Sequence, residues 1–181
     1  MILKTFNISF SGLKEGKHQF DFEVDHTFFE NFGFDEFNSA ALNLVAHLDK
    51  KSTIMELLLD VNGTVNVNCD LTNEPFDLPI ETQMELVVKF GEEFNDDNEE
   101  LLILPHGAYE FNIAQYVYEA IVLAVPFKRV HPGVEDGTLQ SELLDKLEEL
   151  KPTVQQVDKE DLSSIDPRWE ALKKLKTDNN L

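Results

Sequence analysis

Between Thr64 and Phe90 apolar and polar residues alternate with a period of two, and the alternation changes phase once. Val65, Val67, Cys69 and Leu71 hold odd positions; after Thr72-Asn73-Glu74-Pro75, the residues Phe76, Leu78, Ile80, Thr82, Met84, Leu86, Val88 and Phe90 hold even ones. A helix brings one face round every three or four residues, so this period suits extended chain only. The two runs predict a long antiparallel hairpin, one face buried and the other wet, closed by the Asn- and Pro-containing turn. Asn62-Gly63 just upstream reads either as a tight hairpin turn or as a glycine bulge inside one long strand. The clean alternation that follows favours the bulge.

The rest of the chain is arranged around that hairpin. Phe20, Phe22 and Val24 alternate with Asp21, Glu23 and Asp25 and predict a half-buried strand within Gly16 to Asp25. His26 to Asn38 holds Phe28, Phe29, Phe32, Phe34 and Phe37 with little periodicity, a loop or short helix whose aromatics patch the edge of the core. From Ala40 the chain turns extended again, and Ser52 to Val61 is apolar on both faces, as a buried or bulged strand is. Glu92 to Glu100 carries six acids in nine residues and reads as a solvated loop. Leu101 to Leu104 is a short strand ended by Pro105. Asn112 then opens a helix through Leu123, with Ile113, Tyr116, Val117, Ala120, Ile121 and Ala124 as its apolar stripe and Pro126 as its stop. Leu139 to Leu150 is a second, polar-rich amphipathic helix, and Lys151 to Ser164 a hydrophilic linker. These elements predict an α+β fold: an antiparallel sheet built round the hairpin, one main packed helix, and a helical C-terminal extension. The α+β body spans 1–138, and the extension and tail span 139–181.

The tail has its own signature in Asp166-Pro167-Arg168-Trp169. Asp166 suits an N-cap and Pro167 the first helical position. Trp169, Leu172 and Leu175 follow at i, i+3, i+6, while Lys173, Lys174 and Lys176 favour the negative end of the helix. So short a helix is marginal alone in water and needs something to pack against. Trp and Arg are enriched among binding hot spots, which makes Asp166, Pro167, Arg168, Trp169 and Leu172 the candidate partner-binding residues. The plainer alternative is that Trp169 pins the tail to the sheet.

Charge bounds the partners. The formal net charge is −20; the first 139 residues hold 25 acids against 8 bases. Nucleic-acid binding draws its affinity from Lys and Arg at phosphates. Such a body repels a phosphate backbone unless its bases cluster, and it steers a basic protein in. The plainer use of the charge is solubility. One cysteine excludes an internal disulfide. No stretch approaches the roughly 18 apolar residues of a membrane span, and the N-terminus lacks the apolar core of a secretion signal. A cytoplasmic protein is expected.

Signs of catalysis are sparse. The five histidines, His18, His26, His47, His106 and His131, show no metal-site spacing. His106 and His131 flank the main helix, and a turn at each end is the only ground for asking whether they meet. No glycine-rich phosphate loop and no nucleophile elbow occurs, and Glu92 to Glu100 lacks the spaced oxygens and central glycine of a calcium loop. Cys69 falls on a core-facing position and reads as a buried, inert thiol. No cofactor, metal or active site is expected.

Three features in order resemble the YceD family, the bacterial proteins of large ribosomal RNA subunit accumulation. They are Val61-Asn62-Gly63-Thr64-Val65 running into Cys69-Asp70-Leu71-Thr72; the acidic stretch into Leu101-Leu102-Ile103-Leu104-Pro105-His106, with the helix through Tyr118-Glu119-Ala120 to Pro126; and Asp166-Pro167-Arg168-Trp169 with Leu172 and Leu175. The resemblance implies motif roles for Gly63, Cys69, Pro105 and Glu119. The family's turn has a second cysteine where this chain has Thr72, so a zinc or dithiol role is not carried over and the turn is structural. The family resemblance implies a part in synthesis, processing or stability of large-subunit rRNA. With the acidic body and no catalytic constellation, the expectation is a non-enzymatic adaptor for a basic ribosomal protein or an rRNA-processing enzyme, touching rRNA indirectly. Its alternatives are direct rRNA binding through a local basic patch and an acidic holdase for ribosomal proteins. Oligomeric state is left open.

Overall fold

The computed structural model describes residues 2–98, 100–139 and 141–151, and the statements below concern those residues. The chain divides into two units, Met1–Leu144 and Asp145–Leu181. A 3-10 turn, Ile2–Phe6, leads into β1 (Asn7–Ser9), β2 (Gly16–Asp25), α1 (His26–Glu30), β3 (Ser39–Lys50), β4 (Ile54–Asn68) and β5 (Pro75–Gly91). Then come β6 (Asn95–Asn98), β7 (Leu101–Pro105), β8 (Glu110–Asn112), α2 (Ala114–Ala124), α3 (Pro132–Glu135) and α4 (Glu142–Glu149). Six strands form one sheet in the order β2-β3-β4-β5-β7-β6, and β1 pairs with β8 in a separate two-stranded ribbon.

The hairpin is the long one that the alternation predicts. β4 and β5 keep register over fifteen residue pairs, from Ile54↔Lys89 to Asn68↔Pro75. Odd residues of β4 (Met55, Leu57, Leu59, Val61, Val65, Val67) and even residues of β5 (Phe76, Ile80, Leu86, Val88) are buried on one face. β3 adds Leu42, Leu44, Ala46 and Leu48, and β7 adds Leu102 and Leu104. The main helix α2 lays Tyr116, Val117 and Ile121 into the core. Its start is fixed by Asn112, whose Oδ1 accepts from the Ala114 N–H at 2.9 Å, and it ends at extended Val125 before Pro126. The aromatics of 28–37 are core, as a patch and more: Phe28, Phe29 and Phe37 are almost wholly buried. Phe32 stacks on Tyr118 of α2 with centroids 4.4 Å apart, and Phe34 meets the same ring edge-on. Such pairs add about 0.5–1.5 kcal/mol each beyond their burial.

Several details depart from the sequence reading. The sheet is mixed, because β7 runs parallel to β5, from Val87↔Leu101 to Gly91↔Pro105. The alternation within β5 and β7 is the same for either direction, so direction was not encoded in it. The acidic stretch is not wholly loop: Asn95–Asn98 pairs with β7 as the outermost strand, all four residues exposed. Charge on an edge strand is compatible with pairing on one side and discourages it on the other. β4 ends at Asn68, so Cys69 and Leu71 belong to the turn and not to the strand. The amphipathic helix expected from Leu139 forms over Glu142–Glu149. The β1–β8 ribbon carried too few residues to show any period.

Gly63 is not a bulge. Register runs through it without a break on both sides, against Leu42 of β3 and Ile80 of β5. Its φ is +148°, and a Cβ there would stand 2.3 Å from the Ala41 carbonyl oxygen and 2.7 Å from the Leu42 Cα. The glycine is needed for close approach of two backbones.

Three substitutions test these local structures. Gly63→Ala should cost about 3 kcal/mol or more in urea unfolding, since both the φ and the clash oppose it. Gly33→Ala, at φ +70° with open space around it, should cost only about 1–2 kcal/mol. Asp25 caps α1, its Oδ1 accepting from the Thr27 hydroxyl at 2.6 Å and the Phe28 N–H at 3.2 Å. The Thr27 bond, opposed by partial burial and helped by backbone N–H groups, lowers its pKa. A lowered carboxyl contributes fully above its ordinary range and loses its contribution as pH falls through the lowered value. Asp25→Ala should therefore cost about 1 kcal/mol at neutral pH, with the difference from the parent chain vanishing in acid.

Candidate functional site

The turn of the hairpin is closed by hydrogen bonds. The Cys69 N–H donates to the Glu74 carbonyl at 2.9 Å and the Asn73 N–H to the Cys69 carbonyl at 2.8 Å; Asn73 takes a φ of +58°, which asparagine tolerates. The strap after α2 is tied to this turn. Asp70 and Arg129 exchange bonds, Asp70 N–H to the Arg129 carbonyl at 2.8 Å and Arg129 N–H to Asp70 Oδ2 at 2.6 Å. The Arg129 guanidinium reaches Glu36 Oε2 at 3.2 Å and Asp70 Oδ1 at 3.4 Å. The His131 N–H donates to the Cys69 sulfur at 3.3 Å, and the His131 ring meets Phe76 edge-on.

Cys69 is 2 % exposed and Thr72 4 %. Burial pushes the thiol pKa up; bonds from the Thr72 side chain and from backbone N–H groups of His131, Leu71 and Thr72 outweigh it, and the net direction is down. The thiol is thus polarised yet shielded. Its surroundings are those of a brace between turn and strap. His106 lies far off, its ring over Phe90 at the other end of β5. Fourteen residues of strand separate Phe76 from Phe90, roughly 45 Å, so the question of a His106–His131 pair is answered in the negative. Among the described residues no three His, Cys, Asp or Glu side chains converge as metal ligands.

A second region combines concavity with charge. A groove of about 1600 Å³ lies between β5, the β6–β7 segment and α2. Met84, Leu102, Leu104, Ala120 and Leu123 contribute its apolar surface. Six carboxylates line it, from Glu85, Asp96, Asp97, Glu100, Glu110 and Glu119, with no Lys, Arg or His among its lining residues. Phe94 and Leu123 are among its lining residues and are 58 % and 82 % exposed. Tyr116 also lines it; the residue is only 7 % exposed and its hydroxyl has no hydrogen-bond partner among the described residues. Burial raises the phenol's pKa, and the charges of Asp96 and Glu119 add to the effect, so it stays a protonated donor.

The structure scatters the residues named from sequence. Gly63 sits inside the sheet, Cys69 in the hairpin brace, while Pro105 and Glu119 both line the groove. Asp166, Pro167, Arg168, Trp169 and Leu172 lie outside the described residues. The pairing of Arg129 with Asp70 and Glu36, and the place of Tyr116 in the groove, leave no mark in the sequence. For the acidic groove one signal was present: six acids close to a strand that is itself apolar.

Cys69 gives a direct check on the brace. Alkylation by iodoacetamide should be about a hundredfold slower in the native chain than in urea, because a buried thiol reacts only on opening.

Comparison with curated proteins and with solved structures finds no match. A family model does match, "Large ribosomal RNA subunit accumulation protein YceD", over residues 57–176, well over half the chain. The match takes in most of β4, all of β5, every lining residue of the groove but Asn7, and α2, and leaves out β1, β2 and β3. The chain belongs to the YceD family of large ribosomal RNA subunit accumulation proteins.

Proposed function

We propose that this chain is a non-enzymatic accessory factor in large ribosomal subunit biogenesis, an adaptor that binds a basic ribosomal protein or an rRNA-processing enzyme and touches rRNA through that partner. Family membership supports the ribosomal context. The observation that carries the adaptor reading is the groove, where six carboxylates and no cation surround an apolar surface. Potential of one sign in a concave site attracts cations and repels phosphate. The cytoplasm is the expected setting; among the described residues no helix is long and apolar enough to cross a membrane. Asp166, Pro167, Arg168, Trp169 and Leu172 are the second contact in this reading, on the hot-spot character of Trp and Arg.

A direct grip on rRNA is the second reading, and strand register favours it at one place. Lys17, Lys50 and Lys89 fall at the same end of β2, β3 and β5, with Lys14 and Lys51 in the adjoining loops. Two of these five are engaged, Lys50 with the Phe10 and Leu13 carbonyls and Lys51 with Glu56.

A pull-down from native lysate with the intact chain should recover basic ribosomal proteins or an rRNA-processing enzyme. Arg168→Ala with Trp169→Ala should reduce that recovery about tenfold or more with the melting temperature unchanged. Undiminished recovery by the double variant would remove the tail from the binding surface. RNA binding that survives removal of all protein partners, and falls steeply with salt, would favour the second reading.

A further inference from the structure

The parallel strand β7 covers only part of β5. It pairs with Val87–Gly91, while β5 begins at Pro75. On the covered stretch, the Val87 N–H donates to the Glu100 carbonyl at 2.8 Å and the Gly91 carbonyl accepts from the His106 N–H at 3.1 Å. Successive residues of a strand turn their backbone groups to opposite sides. Odd residues of β5 therefore face the β7 side, and Glu81, Gln83 and Glu85 face it where β7 is missing. Pro79, next in that series, has no N–H to offer. Thr82, Gln83, Met84 and Glu85 line the acidic groove, so this open edge forms one of its walls.

We infer that the edge of β5 at Glu81–Glu85 receives an extended, Lys/Arg-rich segment of a partner protein as an added strand. Strand addition takes affinity from main-chain bonds and specificity from alternate side chains. Here one set of alternate side chains would lie on the face of Met84 and Leu102, and the basic set on the face of Glu81 and Glu85. A helix would satisfy none of the three open backbone positions, and a nucleic acid would bring phosphate against six carboxylates. The inference rests on the adaptor reading for the class of partner and goes beyond it in naming the surface and the conformation bound.

The test uses the full chain and a fluorescent dodecapeptide of alternating lysine and valine, followed by anisotropy. A second peptide of the same sequence is N-methylated on the backbone of alternate residues, in either phase, so its charge is kept and one edge loses its donors. Binding of one methylated phase should be about tenfold weaker than that of the parent peptide. Neutralising the groove (Asp96→Asn, Asp97→Asn, Glu119→Gln) should weaken binding about tenfold. An equal charge change far from it (Asp21→Asn, Glu23→Gln, Asp35→Asn) should cost less than about twofold. Equal binding of both methylated phases and the parent would overturn strand addition, and equal weakening by the two triple variants would reduce the groove to general charge attraction. If the peptide fails while ribosomal proteins are still recovered from lysate, the adaptor reading stands and this inference falls.

Discussion

The fifteen-pair ladder between β4 and β5 is the constraint from which the rest of the structure follows. It places odd residues of one strand and even residues of the other on the same face, and that face is the core. Slipping the ladder by one residue would turn every one of these side chains to water. β3 is drawn against β4 so closely that Gly63 can carry no Cβ. The core then needs only a cover, which α2 and the phenylalanines of α1 and the loop after it supply.

The same ladder determines where the molecule is incomplete. β4 is matched along its length on both sides, by twelve residues of β3 and fifteen of β5. β5 is matched along most of its length by β4 alone; the five residues of β7 on its other side leave a stretch that no strand covers among the described residues. Open edges are hazards that proteins blunt with proline and charge, and Pro79, Glu81 and Glu85 are such devices. Charge of one sign is also a selector: it repels acidic chains, including further copies of this one, and admits basic ones. The hairpin's far end is closed by the Arg129–Asp70–Glu36 brace and the His131–Cys69 bond, which hold the end of α2 against the turn. Held along its other side by the ladder to β4, the open edge is a formed surface and needs little reordering to receive a ligand.

Most of the architecture was legible because it rests on periodicity. The alternation of Phe76 to Phe90 specified a strand, and the stripe from Ile113 to Ala124 specified a helix. What could not be read is set by contacts between distant segments. Strand direction in β5–β7 leaves no mark on alternation, and the backbone approach at Gly63 needs β3 to be in place before it exists. The thiol of Cys69 was correctly placed as buried, but its partner, the N–H of His131, lies 62 residues away. Arg129 was counted only as one base among eight; its pairing with Asp70 and Glu36 is a product of the fold. Glu119 and Pro105, named through family resemblance, share a groove with Asp96, Asp97 and Glu100 of the acidic run, a convergence no spacing reveals.

Residue-resolved hydrogen exchange on the full chain tests the open edge most directly. The account predicts fast exchange at the amides of Glu81, Gln83 and Glu85, slow exchange at Ile80, Thr82, Met84 and Leu86, and selective slowing of the three odd amides when a basic extended peptide is added. Uniformly slow exchange in the free chain would mean that the edge is already covered, and odd amides that stay fast with peptide bound would mean that the partner's strand does not form there.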